Sequence, residues 1–181
     1  AFTYSAPVHA NSIIELADHT ISYEKGFIDP DTLNGTARNV VIRQKSSQGA
    51  SMLIDDYTFV STINGTVTTI DSLVLEGLVF IDEDQLKLVA DSVTWTNGQI
   101  DGYWMDALTN RIPNQNASFT NLGEITMNNI MVSEAGATVL NIDSIYINAA
   151  EMPNNPFPNL PISDLSIEFR NIFMPLELSN D

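Results

Sequence analysis

The 181-residue chain has no cysteine, which excludes disulfides, thiolate metal sites and a cysteine nucleophile. It is also poor in positive charge. Three lysines (Lys25, Lys45, Lys87) and four arginines (Arg38, Arg43, Arg111, Arg170) face 23 acidic residues, for a net charge of -16. A field of that sign repels phosphate backbones, so nucleic acid is not an expected partner, and charge does not favour docking on an anionic membrane surface. Histidine is scarce too: His9 and His19 sit in no recognised motif, and no Gly-x-Ser-x-Gly elbow accompanies them. No apolar run reaches the length of a membrane-spanning helix. The three N-x-Ser/Thr triplets, at Asn34, Asn64 and Asn116, occur at the frequency expected by chance and carry no argument for glycosylation. The chain opens at Ala1 rather than Met. The expectation is that a signal or anchor lies outside it, and a cysteine-free chain is compatible with the cytosol and with a bacterial periplasm or surface.

What is present is apolar residues in an alternating pattern. The hydrophobic fraction of 44% is that of a globular domain rather than an acidic tail, and residues 1–181 suffice for one domain with a core. A short phrase recurs: apolar, two small or acidic residues, apolar, any, apolar. It reads Ile54-Asp55-Asp56-Tyr57-Thr58-Phe59, Ile70-Asp71-Ser72-Leu73-Val74-Leu75 and Ala90-Asp91-Ser92-Val93-Thr94-Trp95. It returns as Leu122-Gly123-Glu124-Ile125-Thr126-Met127, Ile142-Asp143-Ser144-Ile145-Tyr146-Ile147 and Ile162-Ser163-Asp164-Leu165-Ser166-Ile167. The steps between hexads are 16, 20, 32, 20 and 20 residues. Near-constant spacing predicts one supersecondary unit stacked on copies of itself, hence a single all-β repeat domain.

Period-two alternation, as in Leu165-Ser166-Ile167-Glu168-Phe169-Arg170, marks strands with one buried face. Asn-Gly at 34–35, 64–65 and 97–98 predicts tight turns, because a type I′ turn needs positive φ at both central residues. Thr58–Ile63 should therefore pair with Val67–Leu75, and Val93–Thr96 should turn back at Asn97-Gly98. A 20-residue unit then holds two antiparallel strands of about seven residues and two turns. A right-handed β-solenoid is the alternative. Leu73 to Phe80 is apolar on both faces, which fits either a strand covered on both sides or a place where the sheet folds over. Trp104, Ala107, Leu108, Arg111 and Ile112 have helical spacing, so one short helix is expected near 103–112. Ser12-Ile13-Ile14-Glu15 reads as a capping box opening a short helix, or as the start of a strand. Four prolines between Pro153 and Pro161 predict an extended crossing or a blunted edge.

No catalytic signature emerges. Carboxylates occur in pairs at Asp29 and Asp31, Asp55 and Asp56, Asp82 to Asp84, and Asp101 and Asp106. A solenoid polysaccharide-active enzyme could use such a pair, while solvated turn ends need no function. For a hard cation the candidates are Asp29, Asp31, Asp82 and Asp84, although the loop at 29–35 lacks the EF-hand spacing. No cofactor is expected. The stronger feature is the stripe of Leu73, Leu75, Val93, Trp95, Ile125, Met127, Ile145 and Ile147, joined by Leu165, Ile167 and Phe169. In register these would all project to one side. They form either a plain core or the greasy face of a sheet that has no second layer.

The run Leu75 to Val93, with its Gly-x-Val strand, turn and Leu-x-Ala-Asp strand, resembles the repeating unit of OstA-like proteins. Ile142-Asp143-Ser144-Ile145 and Ile162-Ser163-Asp164-Leu165-Ser166-Ile167 are similar to the repeats of AsmA-like proteins. The resemblance implies a mainly antiparallel sheet curled into a taco or open jelly roll that carries acyl chains between bacterial membranes. It would place the groove on Leu73, Leu75, Val93, Trp95, Ile125, Met127, Ile145 and Ile147. The low Lys/Arg count offers few partners for anionic lipid head groups. The expectation is therefore a non-enzymatic envelope protein that binds an acyl chain or other apolar ligand and meets envelope partners through its sheet edges. The alternative is a structural or adhesive module with a closed core.

Overall fold

A computed structural model describes residues 12–46, 49–102, 105, 118–149 and 165–173, the last segment as backbone. These residues form one antiparallel sheet that does not close into a barrel. Its strands are β1 (Ser12–Glu15), β2 (His19–Tyr23), β3 (Lys25–Ile28), β4 (Gly35–Gln44), β5 (Ser51–Asn64) and β6 (Val67–Ile81). They continue as β7 (Lys87–Thr96), β8 (Gly98–Asp101), β9 (Ser118–Asn121), β10 (Gly123–Glu134), β11 (Ala137–Ala149) and β12 (Leu165–Phe173). The order across the sheet is β1, β2, β4, β5, β6, β7, β10, β11, β12, with β3 beside β4, β8 beside β6 and β9 beside β8. The solenoid alternative is excluded, since every pairing is antiparallel.

Long strands carry the fold. β5 and β6 have 14 and 15 residues, so the hexads at 54 and 70 each lie within one long strand rather than in a pair of seven-residue strands. The expected hairpin at Asn64-Gly65 forms, with Asn64 opposite Val67 and Phe59 opposite Leu73. Asn97-Gly98, in contrast, is not a turn. Asn97 takes φ 59°, but β8 continues along β6 in the register that β7 held. Ser12–Glu15 is a strand and not the opening of a helix, because its residues pair with Thr20–Tyr23. The helix expected at 103–112 and the proline-rich crossing at 153–161 lie outside the described residues, Met105 apart.

A crease crosses seven adjacent strands, from β4 to β12. Asn39, Asp55, Gly77, Asp91, Asn129, Asp143 and Asn171 occupy one transverse line, and the register is the same on both sides of it in every pairing. No residue is inserted, so this is not a bulge. Alternate strands instead place a left-handed residue on the line: Asn39 (φ 51°), Gly77 (φ 63°) and Asn129 (φ 50°). Asn and Gly are the residues that tolerate this conformation. Two consecutive side chains then point outward, and the strand turns its apolar residues back to the same side. The inward step is three residues instead of two: Ala37 to Val40, Ile54 to Tyr57, Leu75 to Leu78, Ala90 to Val93, Met127 to Ile130 and Ile142 to Ile145. The hexads at 54, 90 and 142 are this corner written in sequence.

The buried core lies along the crease. Tyr23, Val40, Ile54, Leu78, Ala90, Ile130 and Ile142 are all buried and belong to one cluster. All but Tyr23 share one register row. Each large aliphatic side chain buried there contributes about 1.5–3 kcal/mol. Ile14, Ile21, Ile42, Met52, Leu88, Val132 and Leu140 extend the same inner side beyond it.

Candidate functional site

On the other side of the buried row, the inner face carries the stripe. Leu75, Val93, Met127 and Ile145 share one register row, with Tyr57 before them. Leu73, Trp95, Ile125 and Ile147 share the next, with Phe59 before them. Residues opposite one another in register point to the same face. All eight therefore lie on one side of four adjacent strands. Leu75 is buried and the other seven are half-buried. At a strand spacing of about 4.8 Å, the rows run about 14 Å from β6 to β11. The backbone of β12 continues both rows, with Phe169 opposite Ile145 and Ile167 opposite Ile147.

One end of this face is closed. A second crease lies six residues from the first, at Asp71, Asn97 and Gly123. There β7 gives way to β8, and β9 to β10. The register slips between Val60 and Ser61 and between Gln99 and Ile100. Phe59, Ile70 and Ile100 form a small separate core, against which Trp95 and Phe119 pack. Trp95 is held firmly. Its indole N–H donates to the Leu122 carbonyl at 2.6 Å, and its ring lies 5.6 Å from that of Phe119. A Cβ on Gly98 would meet the indole at 2.8 Å, so glycine is what lets the ring lie there. Trp95 thus forms an end wall as well as part of a row.

Polar groups on this side serve the scaffold. The Tyr57 hydroxyl donates to the Leu33 carbonyl at 2.6 Å, and burial pushes its phenol well above the usual range. Asn34 accepts from the Ser61 amide at 2.9 Å and donates to its carbonyl at 3.1 Å, bracing the Asp29–Asn34 loop against β5. Sequence reasoning missed Tyr57 and Asn34 as organising residues. Tyr57 was detectable, as the fourth residue of the first hexad. Asn34 gave only the signal of a tight Asn34-Gly35 turn, which does not form: the six residues Asp29–Asn34 join β3 to β4, with Leu33 left-handed.

Two of the four cation candidates, Asp29 and Asp82, cap turns. Asp29 accepts from the Asp31 amide at 2.8 Å, and Asp82 accepts from the amides of Asp84 and Leu86 at 2.9 and 2.7 Å. Among the described residues, no three His, Cys, Asp or Glu side chains converge to hold a metal ion. Asp55 and Asp56 both point outward, and Asp56 pairs with Arg38 at 2.9 Å. Compared with known proteins, the chain matches no family model, no curated protein and no solved structure.

Proposed function

We propose that the inner face binds an acyl chain or another apolar ligand along the rows of Leu73, Leu75, Val93, Trp95, Ile125, Met127, Ile145 and Ile147, without chemistry on the ligand. The single observation that supports this is the exposure of a continuous apolar face: seven of these eight side chains are only half-buried, although their rows lie beside the densely buried one. Covering such a face gains about 25 cal/mol per Å² of apolar area. The unbranched Met127 suits a ligand of variable shape. Carriage between bacterial membranes, as the resemblance to OstA-like and AsmA-like proteins implies, fits an open sheet with one blocked end. β1 and β12, the first and last strands of the order, would be the places where an envelope partner adds a strand.

A fluorescent fatty-acid probe tests the reading. The protein should bind it saturably at micromolar concentration. Met127→Asp and Ile147→Asp should each weaken binding by at least tenfold while the β-sheet circular dichroism is retained. Absence of saturable binding, or binding untouched by both substitutions in folded protein, supports instead a structural module whose face packs shut. The buried Leu75 and the anchored Trp95 are the observations that favour that second reading.

A further inference from the structure

The outer side of the sheet carries a second apolar stripe, independent of the inner face. Beyond the first crease, Val41, Leu53, Val79, Val89 and Met131 share one register row on five adjacent strands. They alternate with the inward-facing residues, so they point outward. Leu53 is 42% exposed and Met131 37%. Solvated outer faces of antiparallel sheets ordinarily carry polar residues.

The charges flanking this stripe are mirrored about it. Two residues toward the crease lie Asp55 and Asp91; two residues away from it lie Arg43 and Lys87. All four are exposed. The ion pairs among the described residues are Arg38 with Asp56 and Lys45 with Glu15, so none of the four meets an opposite charge within the sheet, and Asp91 accepts only from the neutral Asn129 amide, at 2.6 Å. A hollow of about 430 Å³ beside Lys87 and one of about 330 Å³ beside Asp91 adjoin one another, with Met131 lining both.

We infer that two copies of this chain pack outer face to outer face about a twofold axis running along the stripe. A half-turn about that axis lays each strand over its own counterpart, reversed. Lys87 of the second copy then lies over Asp91 of the first, and Arg43 over the gap between Glu24 and Asp55. Each pairing occurs twice, as a self-complementary interface requires. Sheets packed face to face sit about 10 Å apart, a distance that a lysine and an aspartate reach across. A patch five strands wide and about 20 Å along the strands covers roughly 500 Å² per copy, or about 1,000 Å² in total, the lower end for a specific contact. The dimer is therefore weak and concentration-dependent. The face carries acidic residues on one flank and basic residues on the other, so a segment of one charge sign matches only one flank, whereas a second copy turned about the twofold axis matches both.

Sedimentation velocity from about 1 to about 300 µM tests this. The protein should pass from monomer to dimer over that range. Leu53→Asp and Met131→Asp should each stay monomeric throughout, with unchanged circular dichroism and melting temperature. Ile63→Asp, on an exposed residue at the far end of β5, should dimerise like the parent. Lys87→Asp should weaken the dimer about tenfold, and adding Asp91→Lys in the same chain should restore it, because each reversed charge then meets its opposite. A protein that is monomeric at every concentration overturns the inference, as does a dimer that survives both Leu53→Asp and Met131→Asp. A folded Lys87→Asp/Asp91→Lys protein that remains monomeric overturns the twofold arrangement.

Discussion

The two creases reach a similar end by different means. At the first, every strand pair keeps its register, and the corner comes from left-handed Asn39, Gly77 and Asn129 lying opposite aspartates. At the second, strands are interrupted at Asn97 and Leu122, and two pairings slip. Preserved register lets the side-chain rows run on, so the first crease extends one apolar side across both halves of the sheet. Where β5 slips on β6 and β9 on β8 the rows end, although β8 keeps the register of β7 along β6, and the second crease becomes a plug built on Phe59, Ile70 and Ile100. A corner made by conformation alone continues a surface, whereas a corner made by a slip terminates it.

Glycine substitutions separate the two most strongly. At Gly123 (φ 70°) an added Cβ would lie 2.1 Å from the Thr96 carbonyl oxygen, a backbone atom that cannot step aside. Gly123→Ala should cost more than about 3 kcal/mol in chemical denaturation, and no second-site side-chain change should recover it. At Gly77 (φ 63°) the Cβ would meet the Asp55 carboxylate at 2.1 Å, which is a side chain. Gly77→Ala should cost about 2–3 kcal/mol. In an Asp55→Ala background the cost should fall to the roughly 1–2 kcal/mol of a left-handed alanine. Equal costs in the two backgrounds would mean that the first crease is not set by this contact.

Tyr57 sits between the creases and ties the sheet to the Asp29–Asn34 loop. Because burial raises its phenol, the native state keeps the proton at alkaline pH where the unfolded chain, titrating near 10, releases it. Its contribution is thus complete below about pH 10 and declines above it. Tyr57→Phe should lose about 1 kcal/mol at neutral pH and show a smaller further loss between pH 10 and 11 than the parent, measured by urea midpoints. The smallest effect belongs to the outer rim of the first crease. Arg38 and Asp56 are 67% and 47% exposed, so Arg38→Ala should change stability by less than about 1 kcal/mol.

Much of this was legible in the sequence. The hexads put Leu73, Trp95, Ile125 and Ile147 on one face, and register does the same. The strand lengths were misread for a physical reason. Apolar, polar, polar, apolar breaks the period of two, and Asn or Gly in the middle of a strand reads as a turn. Where residues on neighbouring strands line up into a crease, the same signals mark a corner inside one long strand. Asn97-Gly98 shows the ambiguity: its positive φ was anticipated, but pairing across β6 decides whether the chain turns back or goes on. The anchoring of Trp95 by the Leu122 carbonyl needed contacts between residues 27 apart, which spacing along the chain does not reveal.

Binding on the inner face is tested most directly by quenching of Trp95 with a brominated fatty acid, in a Trp104→Phe background that leaves it as the sole tryptophan. Saturable loss of Trp95 emission with brominated but not plain fatty acid, abolished by Ile147→Asp in folded protein, is the expected result. Emission that stays unchanged to saturating lipid, or quenching that Ile147→Asp leaves intact, would contradict it.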